Sequence, residues 1–251
     1  MQMNKLVSVV IPVFNSEKTI IRALKSVLAQ TYRPLEVIIV DDCSHDSTYS
    51  QIFSFDFKDL GFKYQLNNVN LWPGLSRNVG IEISDWYYVA FLDSDDEWIL
   101  NDKIQAQVSF LIKNREYEFV STYTLSDNRN SDFSFESDIH FRQKILCNYL
   151  AQTSTWLLTK DLLQKCWLFS KGRSEDYEYL LRIWKITKCF CVPRVATFYH
   201  YNCHSDYNSS RVSSYFKGLI LCFLFRKFYP NFYASFLNRL LRPILIMFNK
   251  L

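Results

Sequence analysis

The chain is poor in glycine, with five in 251 residues, and it contains neither a GxGxxG nor a GxxxxGK[ST] pattern. The glycine-rich turns with which Rossmann dehydrogenases and P-loop nucleotidases cradle phosphate are missing, so both classes are poor candidates. Cysteine is present without a pairing pattern: seven residues, an odd number, and no CxxC. That argues against a disulfide framework and a thiolate zinc site, and for buried thiols in a reducing compartment. No nucleophile elbow accompanies the serines and histidines. Long hydrophobic runs are also lacking. The longest apolar run near the C-terminus, Leu219 to Phe225, has seven residues, whereas a membrane-spanning helix needs about 20. Met1 to Asn4 leads straight into a strand-like segment, so no signal peptide is expected.

What is present excludes disorder. Apolar residues make up 49 % and charged residues 22 %, enough to build one large core or two small ones. Aromatic residues reach 17 % and serve cores, stacking sites or membrane interfaces alike. Charge is unevenly placed. Residues 211–251 hold seven basic side chains and no acid, so residues 1–210 carry −3 against a total of +4. A mildly acidic body does not suggest nucleic-acid binding, whereas a basic apolar tail suits an anionic surface.

Along the chain, β-rich apolar runs alternate with amphipathic stretches. Leu6 to Ile11, Leu35 to Val40, Phe62 to Leu66 and Trp86 to Leu92 read as strands, the first stopped by Pro12. Glu17 to Ala29, Asp46 to Phe57 and Pro73 to Ile83 read as the helices between them. This order predicts an α/β fold, a mostly parallel sheet with helices on both faces and a ligand crevice beyond the strand C-termini. Further on, the pattern predicts helices over Asn101 to Lys113, with Asn101 as N-cap, over Phe141 to Asn148 and over Glu175 to Ile186. Strands are expected over Glu118 to Thr124, Ser154 to Leu158 and Phe190 to Phe198, the last with Pro193 at a bulge or edge. Asp127 to Glu136 and Tyr199 to Ser214 read as loops, and two helices split at Pro230 close the chain.

Two acidic clusters fall at strand ends, where the crevice is expected. Asp93-Ser94-Asp95-Asp96 places carboxylates close enough to repel one another. A divalent cation bridging them to a phosphate resolves that repulsion, since Mg²⁺ and Mn²⁺ take a few carboxylates plus substrate phosphates. The plain alternative is a solvated turn or a helix cap before Glu97. Asp41-Asp42 offers acceptors for a base or ribose, or simply forms a turn. Arg77 lies on the helix between the clusters and either neutralises a phosphate or holds Asp95 and Asp41. Glu175-Asp176 opens a helix, where acids are common through the dipole alone, yet a carboxylate there can also face a crevice as general base. His200 and His204 are four apart with Asp206 nearby, but no helix is expected to bring them together as metal ligands. A phosphate contact suits His200 better.

These motifs, in order, resemble the family 2 glycosyltransferases of the GT-A fold, a group that includes many bacterial surface-polysaccharide enzymes. The similarity is carried by VSVVIPVFNSEKTIIRALKSVLAQTYRPLEVIIVDDCSHDST (Val7 to Thr48), LSRNVGIEISDWYYVAFLDSDDEW (Leu75 to Trp98, ending in a DxD motif) and SEDYEYLLR (Ser174 to Arg182). The resemblance implies that Pro12, Val13, Phe14 and Glu17 line a nucleotide pocket and that Asp41, more than Asp42, meets the base. It further implies that Arg77 is the arginine of the family's RN pair, that Asp93 and Ser94 lie by the donor, that Asp95 binds Mn²⁺ or Mg²⁺ and that Asp96 lies near the donor sugar. Asp176 is then the catalytic base, with Glu175 beside it. Two departures stand out: Trp72 where the family often has glycine, and His200 where an arginine is common.

The implied reaction is an inverting transfer from a uridine diphosphate sugar to a saccharide, with a lipid-linked glycan intermediate as the expected acceptor. A metal-dependent nucleotidyltransferase is the competing reading, disfavoured by Glu175-Asp176 and by the missing glycine-rich loop. A catalytically inactive, membrane-associated scaffold is disfavoured by intact Asp95 and Asp176. The expected organisation is a catalytic domain over residues 1–210, with a nucleotide-sugar half over 1–98 and an acceptor half over 99–210, followed by the tail of residues 211–251. In the tail Phe232, Phe236, Leu240, Ile244 and Phe248 recur every four residues, flanked by Arg239 and Arg242. That pattern predicts a peripheral helix on the anionic cytoplasmic face of the inner membrane, with packing on the body or in a homodimer interface as the alternative.

Overall fold

The computed structural model of the protein describes residues 5–126, 151–166, 168–172, 174–200, 220–221 and 223–225. The expected loop at Asp127 to Glu136, the helix at Phe141 to Asn148, the segment after His200 and the helices around Pro230 lie outside the described residues.

The first half alternates as its apolar pattern requires: β1 (Val7–Val13), α1 (Ile20–Leu28), β2 (Leu35–Asp41), α2 (Thr48–Phe53), β3 (Gly61–Leu66), α3 (Pro73–Ile83) and β4 (Tyr88–Phe91). There follow β5 (Glu97–Trp98), α4 (Lys103–Lys113), β6 (Tyr117–Ser126), a 3-10 turn at Thr153–Thr155, β7 (Leu157–Thr159), α5 (Lys160–Cys166), α6 (Glu175–Ile186) and β8 (Lys188–Tyr199). The sheet order is β3-β2-β1-β4-β7-β6-β8-β5. The first four of these strands run parallel, as do β6 and β8, while β7 runs antiparallel to both its neighbours and β5 to β8.

Every residue of β1 and β2 is buried, as expected of central strands covered on both faces. Successive side chains alternate between two cores. Val10, Ile38, Val40, Val89 and Phe91 face α3, α5 and α6. Val9, Ile11, Val37, Ile39 and Ala90 face α1, α2 and α4. Helix α3 sits unusually close to the sheet because Gly80 has no side chain: a Cβ there would lie 2.3 Å from Val10 Cγ1.

Several boundaries differ from the sequence expectation, each for a physical reason. Pro12 does not stop β1. Val10 accepts the Leu92 N–H on the β4 side, and that ladder ends at Val10↔Phe91. Pro12 faces the same side beyond that end, so its missing N–H deprives no ladder bond. Asn101 is not the cap of α4. Its carbonyl accepts the Thr31 N–H, the cap position falls to Asp102, and the first turn is satisfied from outside when Gln30 Oε1 accepts the Ile104 N–H. Ser154 lies in the 3-10 turn rather than in β7. Ile186, the last residue of α6, is 45 % exposed. Pro193 falls where β6 and β8 slip register, between Thr122↔Val192 and Tyr123↔Val195, which is the expected bulge.

Candidate active site

The C-terminal ends of β1, β2 and β4 open at one edge of the sheet, so Val13, Asp41 and the Asp93–Asp96 turn lie side by side. The loop after β1 is laced to the loop after β2. Ser44 Oγ accepts the Asn15 N–H, Thr48 Oγ1 accepts the Ser16 N–H, and Glu17 Oε2 accepts the Ser47 N–H. Pro12 and Val13 are buried beneath this lacing, and Phe14 is exposed above it. Ser16 and Ser94 hydroxyls meet at 2.7 Å, which ties the first loop to the acidic turn.

Asp41 and Asp42 are both buried, with different partners. Asp41 accepts the Ser44 N–H at 2.8 Å and the Tyr64 hydroxyl at 2.9 Å. Burial and the Asp41 carboxylate push the Tyr64 phenol far above its ordinary range. Asp42 organises the approach to α3: it accepts Asn67 Nδ2 and the Leu71 N–H at 2.8 Å and the Trp72 N–H at 2.9 Å. Trp72 adopts φ 74° and ψ 155°, a region essentially reserved for glycine, at a cost of about 1–3 kcal/mol for any other residue. A glycine, which the resemblance implies at this place, would take that backbone without strain.

The acidic turn is built by donors from far along the chain. Asp93 accepts Arg77 Nη2 at 2.5 Å and Thr153 Oγ1 at 3.0 Å, while its own N–H donates to Ser154 Oγ. Arg22 Nη2 donates to the Asp95 carbonyl at 2.6 Å and fixes that backbone, leaving the half-buried Asp95 side chain at the turn. Asp96 is buried and accepts Ser154 Oγ at 2.5 Å. Its Oδ1 has no hydrogen-bond partner among the described residues. Burial, reinforced by Asp93 and Asp95, raises the Asp96 pKa well above the carboxylate range, so the group favours its neutral form.

One buried guanidinium joins this turn to the second acidic motif. Arg77, on α3, donates to Asp93 through Nη2 and to Glu175 Oε1 at 3.3 Å through Nη1, with Thr153 Oγ1 at 3.3 Å. Burial would lower the Arg77 pKa, but Asp93 and Glu175 outweigh it and raise it. The approach of α3 to α6 requires Gly74, since a Cβ there would stand 2.5 Å from Glu175 Cγ. Burial and Asp176 push Glu175 up to about 7, against the pull of Arg77. Asp176 is half-buried and accepts the N–H of Tyr177 at 2.7 Å. Through Arg77 the Asp93–Asp96 turn is thus joined to Glu175 and Asp176, residues up to 83 positions apart in sequence.

His200 lies at the end of β5's partner strand. Its Nε2 meets Glu97 Oε1 at 3.0 Å, one residue past the acidic turn. Among the described residues no group of three or more His, Cys, Asp or Glu side chains is disposed to hold a metal ion. The donor chemistry nevertheless fits a hard cation. The carboxylate oxygens of the turn are of the kind such a cation takes, the buried Asp96 Oδ1 has no partner among the described residues, and substrate phosphates would supply the rest of the shell.

The profile of glycosyl transferase family 2 matches residues 8–177 of the chain. The chain belongs to this family. Among curated relatives it is 32 % identical over 185 residues to the Escherichia coli UDP-Glc:alpha-D-GlcNAc-diphosphoundecaprenol beta-1,3-glucosyltransferase WfgD, spanning 72 % of this chain and 70 % of that one. Its fold is that of S. aureus TarS 1–349 solved with UDP, at TM-score 0.76 and 20 % identity over 94 % of this chain and 72 % of that one. The Pyrobaculum calidifontis mannosyltransferase PcManGT, solved with GDP-Man and Mn²⁺, shares it at TM-score 0.74 and 18 % identity over 95 % and 69 %. The α/β fold of the family 2 chain is therefore GT-A-like.

Three groups at the site were not singled out from the sequence. Thr153 and Ser154 hold Asp93 and Asp96, Tyr64 and Asn67 hold Asp41 and Asp42, and Arg22 holds the Asp95 backbone. Hydroxyls and amides are too common for spacing to mark them. Only the sheet order, which inserts β7 beside β4, brings the Thr153–Thr155 turn to the acidic cluster.

Proposed function

We propose that this family 2 chain transfers a sugar, with inversion, from a UDP-sugar to a saccharide carried on a lipid diphosphate, as a step in building a bacterial surface polysaccharide. The observation that carries the reading is Arg77: a single buried guanidinium bonded to both Asp93 and Glu175 makes the strand-end turn and the α6 acid pair one site. The relative WfgD, whose name gives a UDP-glucose donor and a GlcNAc-diphosphoundecaprenol acceptor, supports the substrate classes.

In this reading Pro12, Val13, Phe14, Glu17, Asp41 and Asp42 frame the nucleotide, Asp93, Ser94 and His200 face the diphosphate and donor sugar, and the buried Arg77 and Asp96 support that wall from behind. Asp95 holds Mn²⁺ or Mg²⁺, which when bound offsets charge on the departing diphosphate. Asp176 takes the proton from an acceptor hydroxyl. The oxygen then bonds to the anomeric carbon as the bond from that carbon to UDP breaks, and UDP leaves with the electron pair. Asp176 suits the base role better than Glu175, because Glu175 is buried against Arg77 while Asp176 is half-buried and reachable.

The protein's attachment belongs to the same reading. No helix among the described residues is long and apolar enough to cross a membrane. At the start of the 211–251 tail, Leu221 is buried on the core, while Ile220, Phe223 and Leu224 are exposed. Residues 1–210 act as the catalytic unit, and the tail lies on the anionic cytoplasmic face of the inner membrane, near a lipid-linked acceptor.

The test is incubation with UDP-glucose and a short-chain GlcNAc diphospholipid, with and without Mn²⁺, following UDP release and a β-linked disaccharide lipid. Asp95→Ala should abolish metal-dependent UDP binding in calorimetry and leave the fold intact. Metal-dependent UDP affinity that survives Asp95→Ala would remove Asp95 from the metal role.

A further inference from the structure

The transfer chemistry makes no use of Trp72. Its backbone stands at φ 74° and ψ 155°, where glycine sits freely and any side chain is strained. The chain nonetheless places an indole there and keeps it 45 % exposed, so core burial does not account for a side chain at this position. The strained conformation is held by its surroundings. Asp42 accepts the Trp72 and Leu71 N–H groups and is itself held by Asn67, while Asn70 Oδ1 also accepts the Trp72 N–H at 3.2 Å. Conformations over-determined in this way gather at ligand clamps.

Its place in the fold gives the strain a use. On one side Trp72 is bonded to Asp42, at the end of β2. On the other, the chain two residues later runs so close to the start of α6 that a Cβ added at Gly74 would stand 2.5 Å from Glu175 Cγ. Trp72 therefore stands at the seam between the two acidic motifs. An indole there offers a rigid apolar face with little conformational freedom to lose, which matches the C–H face of a pyranose beside a carboxylate-rich crevice. We propose that Trp72 is a carbohydrate-binding residue whose indole face receives a pyranose ring at the crevice mouth. The inference rests on the sugar-transfer reading, and the ring is that of the donor sugar or of the acceptor.

The test compares wild type, Trp72→Gly and Trp72→Phe. Glycine relaxes the backbone, so its variant keeps the fold, and phenylalanine keeps a ring. Each protein is titrated calorimetrically with UDP, with UDP-glucose, and with a short-chain GlcNAc diphospholipid in the presence of UDP. Trp72→Gly should bind UDP as wild type does and lose about tenfold for one sugar ligand, with Trp72→Phe losing less. A loss confined to UDP-glucose assigns the donor ring, and one confined to the GlcNAc lipid assigns the acceptor ring. Unchanged affinity for both in the glycine variant overturns the proposal. So does a parallel loss of UDP affinity, which would mean that Trp72 acts through Asp42. Wild type that binds no UDP at all overturns the sugar-transfer reading, and this inference with it.

Discussion

Replacing Arg77 with methionine removes the charge that joins the two acidic motifs and keeps most of the side-chain volume. The guanidinium is 3 % exposed, donates to Asp93, Glu175 and Thr153, and lies 5.5 Å from the Phe169 ring. Its loss leaves two carboxylates facing each other in a dry site, and breaking a buried pair this way costs about 3–5 kcal/mol. The cost depends on pH with a definite sign. Glu175 is already held up to about 7, so its neutral form is favoured by folding. That contribution is complete below the ordinary carboxylate range and is lost as pH rises through about 7. Without Arg77 the same group moves higher still, because Arg77 is what pulls it down. Arg77→Met should therefore lose the full amount at alkaline pH and distinctly less under mildly acidic conditions, where Glu175 takes up a proton. Urea denaturation across that range measures both. Adding Glu175→Gln should restore about 0.5–3 kcal/mol, the usual size of coupling between contacting residues. Arg77→Lys, a point charge in place of a fork, should fall between the two. A loss under about 1 kcal/mol at alkaline pH, no larger than an ordinary substitution, or the absence of rescue by Glu175→Gln, would refute the tie.

Gly80→Ala should destabilise the protein by about 1–3 kcal/mol in the same denaturation assay, because its Cβ would meet Val10 Cγ1 at 2.3 Å and Val40 Cγ2 at 3.3 Å. Lys103 is buried with Gln107 Oε1 and the Trp98 ring against its ammonium, and burial pulls its pKa well down. The Lys103 contribution to stability should therefore rise with pH up to the ordinary lysine range, and Lys103→Met should remove that contribution while stabilising the neutral-pH protein. Deletion from Asn231 onward should weaken co-sedimentation with anionic vesicles, most visibly at low salt, while sparing transfer to a short soluble acceptor. An unfolded truncation, or equal vesicle binding, would contradict the membrane role of the tail.

The parallel half of the fold was legible because its signal is strong: uninterrupted apolar strands, amphipathic segments between them, and acids at the strand ends. Even the register slip at Pro193 could be read from a residue that cannot donate to a ladder. What escaped the sequence depends on neighbours that only the fold supplies. Pro12 reads as a stop unless the end of the β4 ladder is known. Asn101 reads as a cap unless Thr31 and Gln30 are known to compete for that turn. Arg77 was legible as a cation on the helix between two acidic clusters, but its double pairing with Asp93 and Glu175, rather than with Asp95 and Asp41, follows from the close packing of α3 against α6 that Gly74 permits. Trp72 reads as a departure from a family pattern, and its backbone conformation shows what the departure costs.

The central claim is that Asp176, set beside an Arg77-bound Glu175, is the base of a sugar transfer. Its most direct test is Asp176→Asn, assayed for UDP-glucose transfer to the GlcNAc diphospholipid alongside UDP binding. Asparagine keeps the size of the side chain and cannot take the proton. The account predicts unchanged UDP affinity and a kcat lower by about 10²–10⁴, the usual contribution of a general base. Near-wild-type turnover in Asp176→Asn, with the loss appearing in Glu175→Gln instead, would contradict it.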